Sequence, residues 1–330
     1  MKKILLLTTG GTIASTGSDM GLLPTVSGDG LLARLGCAQD YDITVLDLLS
    51  LDSSNIQPEE WQLIARTIFE KRKSYDGIVI THGTDTMAYT ASMLSFILRD
   101  IDIPVVLTGS QLPIAHPLSD APDNLRTAFA MDAESVCGIF VAFDRKIMLG
   151  CRAAKVRTTG FNAFESVNLP LVGEVSSDGL VIRKELVPKA KGECKLMDNL
   201  DTRVTLIKLI PGLDPKIIDA LVGMGTKGIV FEAFGSGGLA FVRRDLISAI
   251  GEAVNKGVSI VVCSQCLYER SDMTTYEVGR RALEQGVIPG ADMTSEAAVT
   301  KLMWALGNSN TQKEVAEIFG QNLIGEVTCE

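Results

Sequence analysis

The feature that most constrains this chain is a series of apolar runs that are continuous rather than alternating: residues 4–7, 43–48, 77–81, 104–108 and 138–143. A strand with one face in water alternates, whereas a strand covered on both faces reads as an unbroken hydrophobic run, the signature of a buried parallel sheet. Helical stretches lie between these runs. In 58–73 the residues Trp61, Ile64, Ala65 and Ile68 recur on one face, Pro58 suits the first helical position, and Glu59 and Glu60 favour the positive end of the helix dipole. Helices over 86–98 and 123–131 continue the alternation. Strand–helix–strand order predicts an α/β fold with a large N-terminal doubly wound, mostly parallel sheet domain.

The second half repeats the pattern with strands at 204–210, 228–233 and 259–263, helices at 215–224 and 243–256, and closing helices near 274–285, 294–306 and 311–319. Between Arg183 and Arg203 no apolar period is visible, so that stretch reads as a connector. A length of 330 residues exceeds most single cores. The expected organisation is an N-terminal catalytic α/β domain over 1–182, a connector over 183–203 and a smaller C-terminal α/β domain over 204–330.

A net charge of −9 without clustered Lys and Arg argues against nucleic acid or an anionic membrane as partner and points to a small molecule. No run approaches the ~20 apolar residues of a membrane span, and residues 1–7 are too short for a signal peptide's apolar region, so a cytoplasmic location is expected. Seven scattered cysteines read as reduced core thiols. Cys263 and Cys266 are spaced as a pair, but with no second pair and only His82 and His116, no metal site is expected.

The chemistry concentrates where the apolar runs end. After the first comes Thr8-Thr-Gly-Gly-Thr-Ile-Ala-Ser15, in which Gly10 and Gly11 allow positive φ and close approach of a ligand while Thr12 offers a hydroxyl at the carboxyl end of the strand. The G-x-G-x-x-G fingerprint and the P-loop are both absent, so phosphate binding loses ground and a nicotinamide-dependent enzyme stands as a distant third reading. A threonine hydroxyl needs an activating base. After the third run comes Thr81-His-Gly-Thr-Asp-Thr-Met87, whose Thr84 and Asp85 reach the same sheet edge if the strands are parallel; on local grounds Asp85 reads equally well as a helix cap. After the second comes Asp52-Ser53-Ser54-Asn55, either a plain loop or a set of donors for a substrate carboxylate. Lys155, flanked by Ala154 and Val156, is a surface lysine or, if partly buried, a group that releases its proton readily enough to act beside a threonine.

Together, residues 8–15 and 82–87 resemble the two signatures of the bacterial-type L-asparaginases, and residues 77–96 resemble the cytoplasmic type I branch. The resemblance extends over nearly the whole chain, through Thr108-Gly-Ser-Gln111, Asn168-Leu-Pro170, Gly290-Ala-Asp-Met-Thr294 and Gln321-Asn-Leu323. It implies hydrolysis of the side-chain amide of L-asparagine to L-aspartate and ammonia by double displacement through a threonine acyl-enzyme, without cofactor or metal, in a homodimer or homotetramer. By position, Thr12 matches the nucleophile and Thr84, Asp85 and Lys155 match a second triad. Asp52, Ser53, Ser54, Gly83, Thr84 and Asp85 match the substrate-binding set, with Asp85 on the α-ammonium group. Backbone amides near Thr12 and Thr84 would stabilise the oxyanion.

Three departures stand against the family pattern. Leu22 occupies the region of a lid tyrosine, and Gly238 stands where an asparagine usually ends a glycine-rich loop. Ala154 and Glu232 replace two of three allosteric residues, so no activation by asparagine is expected, and the third, Cys266, reads as a residue packed in the core. These departures keep open an amidohydrolase for another ω-amide, glutamine or a modified asparagine, and an amino-acid-binding homologue of weak activity.

Overall fold

The computed structural model describes residues 1–18, 21–35 and 40–328, with the backbone alone for 17, 18 and 21–24. It divides into two units, Met1–Asp198 and Asn199–Glu330.

In the first unit β1 (Lys3–Gly10) leads through a hairpin of β2 (Ser15–Ser18) and β3 (Gly21–Pro24) and the short α1 (Gly28–Leu32) to β4 (Asp42–Leu51). Then α2 (Pro58–Lys71), β5 (Gly77–Thr81), α3 (Met87–Ile97), β6 (Pro104–Thr108), α4 (Ala121–Asp132) and β7 (Gly138–Phe143) alternate as expected. The short strands β8 (Lys146–Leu149), β9 (Ala153–Lys155), β10 (Phe164–Ser166), β11 (Gly173–Ser176) and β12 (Gly179–Ile182) follow. Eight strands form one sheet in the order β12-β11-β8-β7-β6-β5-β1-β4. The five from β7 to β4 are parallel, and β8, β11 and β12 extend the sheet antiparallel.

Burial explains the continuous runs: Ile4–Leu7 and every residue of β5, β6 and β7 are buried, whereas the edge strand β4 mixes exposed and half-buried residues and buries none. Every residue of α3 except Tyr89 is buried. The parallel strands lie in space as second, first, third, fourth, fifth, so the connections reverse direction between β1 and β5. Such a reversal leaves a crevice beyond the carboxyl ends of the two strands, where ligands of open α/β sheets bind. Residues 10–12 and 82–85 are the ones that emerge there, and Thr8 pairs with Thr81 in register.

Most of the stretch read as a connector packs on the first unit. The Lys191 amide donates to Asp100 Oδ1 at 2.8 Å, the Met197 amide donates to the Ile97 carbonyl at 3.0 Å, and Cys194 is buried. The division between units falls after Asp198.

The second unit alternates β13 (Val204–Lys208), α5 (Lys216–Gly223), β14 (Gly228–Ala233), α6 (Leu246–Asn255), β15 (Ser259–Ser264), α7 (Glu277–Glu284) and β16 (Ile288–Pro289), then closes with α8 (Ser295–Gly307) and α9 (Gln312–Phe319). Its four strands are parallel in sequential order. Ile229, Phe231, Ile250, Ile260 and Val262 form the centre of one of its packed faces. On α8, the fully buried Lys301 ammonium donates to Glu326 Oε1 at 2.6 Å and to the Gln321 carbonyl at 2.8 Å, tying the C-terminal segment down. Lys301→Met strands the Glu326 carboxylate in the interior and is expected to cost about 3–5 kcal/mol, read as a lower urea midpoint; an unchanged midpoint would contradict this. Among the described residues no helix is long and apolar enough to cross a membrane.

Candidate active site

Three loops meet at the crevice, and backbone contacts fix their spacing. At the end of β1 the glycines take φ of 106° at Gly10 and 83° at Gly11, conformations an L side chain rarely adopts. The Gly11 amide donates to the Leu51 carbonyl at 2.9 Å, anchoring the first loop to the end of β4. Gly11 also lies directly against the loop after β5: a Cβ there would sit 2.4 Å from Gly83 N. Gly83 in turn abuts the third loop, where its own added Cβ would sit 2.5 Å from Ser53 Oγ. The Thr86 hydroxyl closes the set by donating to the Ser53 carbonyl at 2.7 Å.

Thr12, half-buried at the head of a 3-10 turn, and Thr84, 7% exposed, are thus each the residue after a glycine at one backbone contact. Gly11→Ala combines a left-handed φ with this collision, and shifts of about 1 Å at a reacting group cost on the order of 10²-fold in rate. We expect a fall in kcat of that size together with a lower melting temperature; unchanged kinetics would contradict the packing described.

The three residues expected to form a second triad come within hydrogen-bond distance across 71 residues of sequence. Lys155, at the end of the short β9–β10 ribbon where it pairs with Phe164, places Nζ 2.8 Å from Thr84 Oγ1 and 2.6 Å from Asp85 Oδ1. Its side chain is 17% exposed, so of the two readings of this lysine the structure favours the partly buried one. Asp85 is 64% exposed and meets Lys155, while the N-cap of α3 falls on Thr86. The ammonium has donors only, so Thr84 oxygen accepts from it. The Thr84 hydroxyl's own hydrogen faces Gln111 Oε1 at 3.4 Å.

Of the remaining candidates, Asp52 Oδ1 accepts from both the Ser54 amide (2.8 Å) and the Ser54 hydroxyl (2.7 Å). The Ser54 side chain and then its amide hold the Asp52 carboxyl below its ordinary value. Ser53 is buried and Ser54 exposed. Gln111, to which the sequence assigns no role, joins this cluster through Thr84. It follows β6 at the same sheet edge, and its Nε2 donates to the carbonyls of Thr158 and Gly160, both at 3.0 Å, which aims Oε1 at Thr84.

The departures from the family pattern resolve unevenly. The side chain of Leu22 lies outside the described residues. Gly238 bridges Phe234 in a tight turn, its amide donating to the Phe234 carbonyl at 2.7 Å. Ala154 is buried in β9, and Glu232 accepts from the Ser295 hydroxyl at 2.6 Å and faces Lys208 at 3.5 Å. Cys266, expected in the core, is exposed because it falls just past the end of β15, whereas Cys263 within that strand is buried, which pushes its thiol up to about 12. Among the described residues no group of three or more His, Cys, Asp or Glu could hold a metal ion.

The family of the asparaginase N-terminal domain matches residues 3–188, and that of the glutaminase/asparaginase C-terminal domain matches residues 203–319. The chain is 48% identical to an L-asparaginase of Thermococcus kodakarensis, over 99% of both chains. The solved structure of the thermostable L-asparaginase from that organism superimposes with a TM-score of 0.94 at 47% identity, covering 99% of this chain and 100% of that one. A subunit of the glutamyl-tRNA(Gln) amidotransferase of Pyrococcus furiosus is 36% identical, over 98% of this chain and 76% of its own length. Matched along both halves, and carrying the two signature loops at one crevice of its parallel sheet, the chain belongs to the asparaginase family.

Proposed function

We propose that the protein hydrolyses the side-chain amide of L-asparagine to L-aspartate and ammonia by double displacement at Thr12. The observation that carries the reading is the Thr84–Lys155–Asp85 cluster facing the crevice into which Gly11 delivers Thr12. Thr12 oxygen attacks the amide carbon, an ester bond forms, the carbon–nitrogen bond breaks, and the threonine proton leaves with the nitrogen as ammonia. Water then attacks the ester, giving aspartate and restoring the hydroxyl. For this step Lys155 acts as the neutral amine, its extra proton having passed to solvent, and it takes the proton of Thr84 as Thr84 takes one from the attacking water. Backbone amides near Thr12 and Thr84 hold the oxyanion at each step, an effect of about 3–4 kcal/mol per donor.

Asp85 couples binding to this second step. In the free protein its carboxylate supports the Lys155 charge at 2.6 Å. When the substrate's α-ammonium arrives, one carboxylate serves two cations, and its hold on Lys155 is shared with the substrate. Ser53, Ser54, Asp52 and Gly83 complete the pocket around the substrate's amino-acid end. No cofactor enters the scheme, and assembly as a homodimer or homotetramer belongs to the same proposal.

The near-complete match to the L-asparaginase favours a free amino-acid substrate over the role named for the amidotransferase relative, about a quarter of whose length has no counterpart here. Ammonia release measured side by side on asparagine, glutamine and other ω-amides tests the reading. Fastest release from asparagine is expected. Release from none of them, with asparagine still binding by calorimetry, would replace it with an amino-acid-binding protein.

A further inference from the structure

Behind the site, three buried side chains, from α2, α3 and the loop after β5, form a hydrogen-bonded chain that the proposed reaction does not use. Trp61 on α2 donates from Nε1 to Thr90 Oγ1 on α3 at 3.0 Å, Thr90 Oγ1 lies 2.9 Å from His82 Nε2, and His82 Nδ1 lies 2.7 Å from the Gly83 carbonyl oxygen. His82 and Thr90 are 0% exposed and Trp61 is 6% exposed.

The direction of every proton in this chain follows from donor chemistry. An indole nitrogen only donates and a carbonyl only accepts, so the two ends are fixed. Burial pushes the His82 imidazole down to about 4, which leaves it neutral with a single proton near pH 7. That proton must be on Nδ1, because the Gly83 oxygen facing it offers none. Nε2 is therefore an acceptor, and the Thr90 hydroxyl donates to it. Trp61 occupies one of the two lone pairs of the Thr90 oxygen and so polarises its O–H toward Nε2. All the bonds run one way, from indole to carbonyl, and bonds aligned in this manner reinforce one another.

The terminus of the chain is the peptide between Gly83 and Thr84. In a planar trans peptide the C=O and the N–H point in opposite directions, so fixing the Gly83 carbonyl fixes the direction of the Thr84 amide. Gly83 is also the residue against which Gly11 packs. We infer that Trp61 and Thr90 are positioning residues which lock His82 in its Nδ1–H tautomer and thereby aim the Thr84 N–H at the reacting amide. This rests on the proposed reaction for its kinetic consequence, but the tautomer itself is read without turnover.

Long-range 1H–15N spectra of the whole protein provide that reading, and with only two histidines in the chain one His116→Gln spectrum assigns both. At neutral pH the wild type is expected to show His82 with a protonated Nδ1 and a bare Nε2. Thr90→Val, which removes the donor at nearly constant volume, and Trp61→Phe, which removes the indole donor alone, should each introduce the Nε2–H tautomer. In the same variants kcat on asparagine should fall about tenfold with KM within about twofold, since the aim of a transition-state donor is lost and not the substrate pocket. Thr90→Ser, which restores the hydroxyl, should return both spectrum and kcat toward wild type. A wild-type His82 protonated on Nε2 or on both nitrogens would overturn the inference, as would variants that shift neither spectrum nor kcat, or a Thr90→Ser protein as slow as Thr90→Val. If Thr90→Val does not fold, Trp61→Phe carries the same outcomes. A correct tautomer in a protein that releases no ammonia from any amide would instead count against the proposed reaction alone.

Discussion

Thr12→Ala is expected to lower kcat on asparagine by on the order of 10⁴-fold or more while the protein still folds and still binds substrate. The argument rests on what the position does besides supplying an oxygen. Gly10 and Gly11 make the backbone turn, the Leu51 carbonyl holds it, and the Ser15 hydroxyl donating to the Gly11 carbonyl at 3.0 Å braces it from behind. None of these uses the Thr12 side chain, so an alanine should leave the loop in place and the proposed substrate contacts of Ser53, Ser54 and Asp85 intact. A steady-state ammonia assay paired with calorimetry on asparagine separates the two quantities. Surviving turnover would assign the nucleophile elsewhere.

Lys155→Met should be nearly as damaging and in a different way. The lysine donates to Thr84 at 2.8 Å and Asp85 at 2.6 Å, so its loss removes the proton acceptor of the proposed water-activating step and frees the carboxylate from its internal partner. General acid–base groups contribute about 10²–10⁴-fold, and kcat should fall within that range. The KM for asparagine should hold or drop, because Asp85 then serves the α-ammonium alone and because accumulation of an acyl-enzyme itself lowers KM. A burst of ammonia followed by slow turnover is the expected time course. A rise in KM with unchanged kcat would make Lys155 a binding residue and nothing more.

The scaffold and the edge that carries the candidate site were legible in the sequence for one physical reason. Strands buried on both faces cannot alternate, so β1, β5, β6 and β7 announced themselves as continuous runs, and residues that follow such strands must lie at their carboxyl ends. The pairing of Thr8 with Thr81 then brings the two loops together. The pattern could not disclose contacts whose partners are distant and polar. Gln111 is aimed by two backbone carbonyls nearly fifty residues away. Trp61 reads from its period as one more core residue, although its indole nitrogen donates to Thr90 on another helix. The stretch after Arg183 lacks an apolar period because backbone amides, at Lys191 and Met197, help hold it to the first unit. Residues 15–18 and 21–24 carried no strand alternation, yet their backbones pair antiparallel as β2 and β3.

Intact-mass and peptide mapping of the Lys155→Met protein, acid-quenched during turnover of asparagine, tests the central claim most directly. Double displacement at Thr12 predicts an aspartyl adduct on the peptide that contains Thr12, formed in proportion to the ammonia burst and absent after a second substitution, Thr12→Ala. Ammonia and aspartate appearing together with no adduct, or an adduct on Thr84, would contradict it.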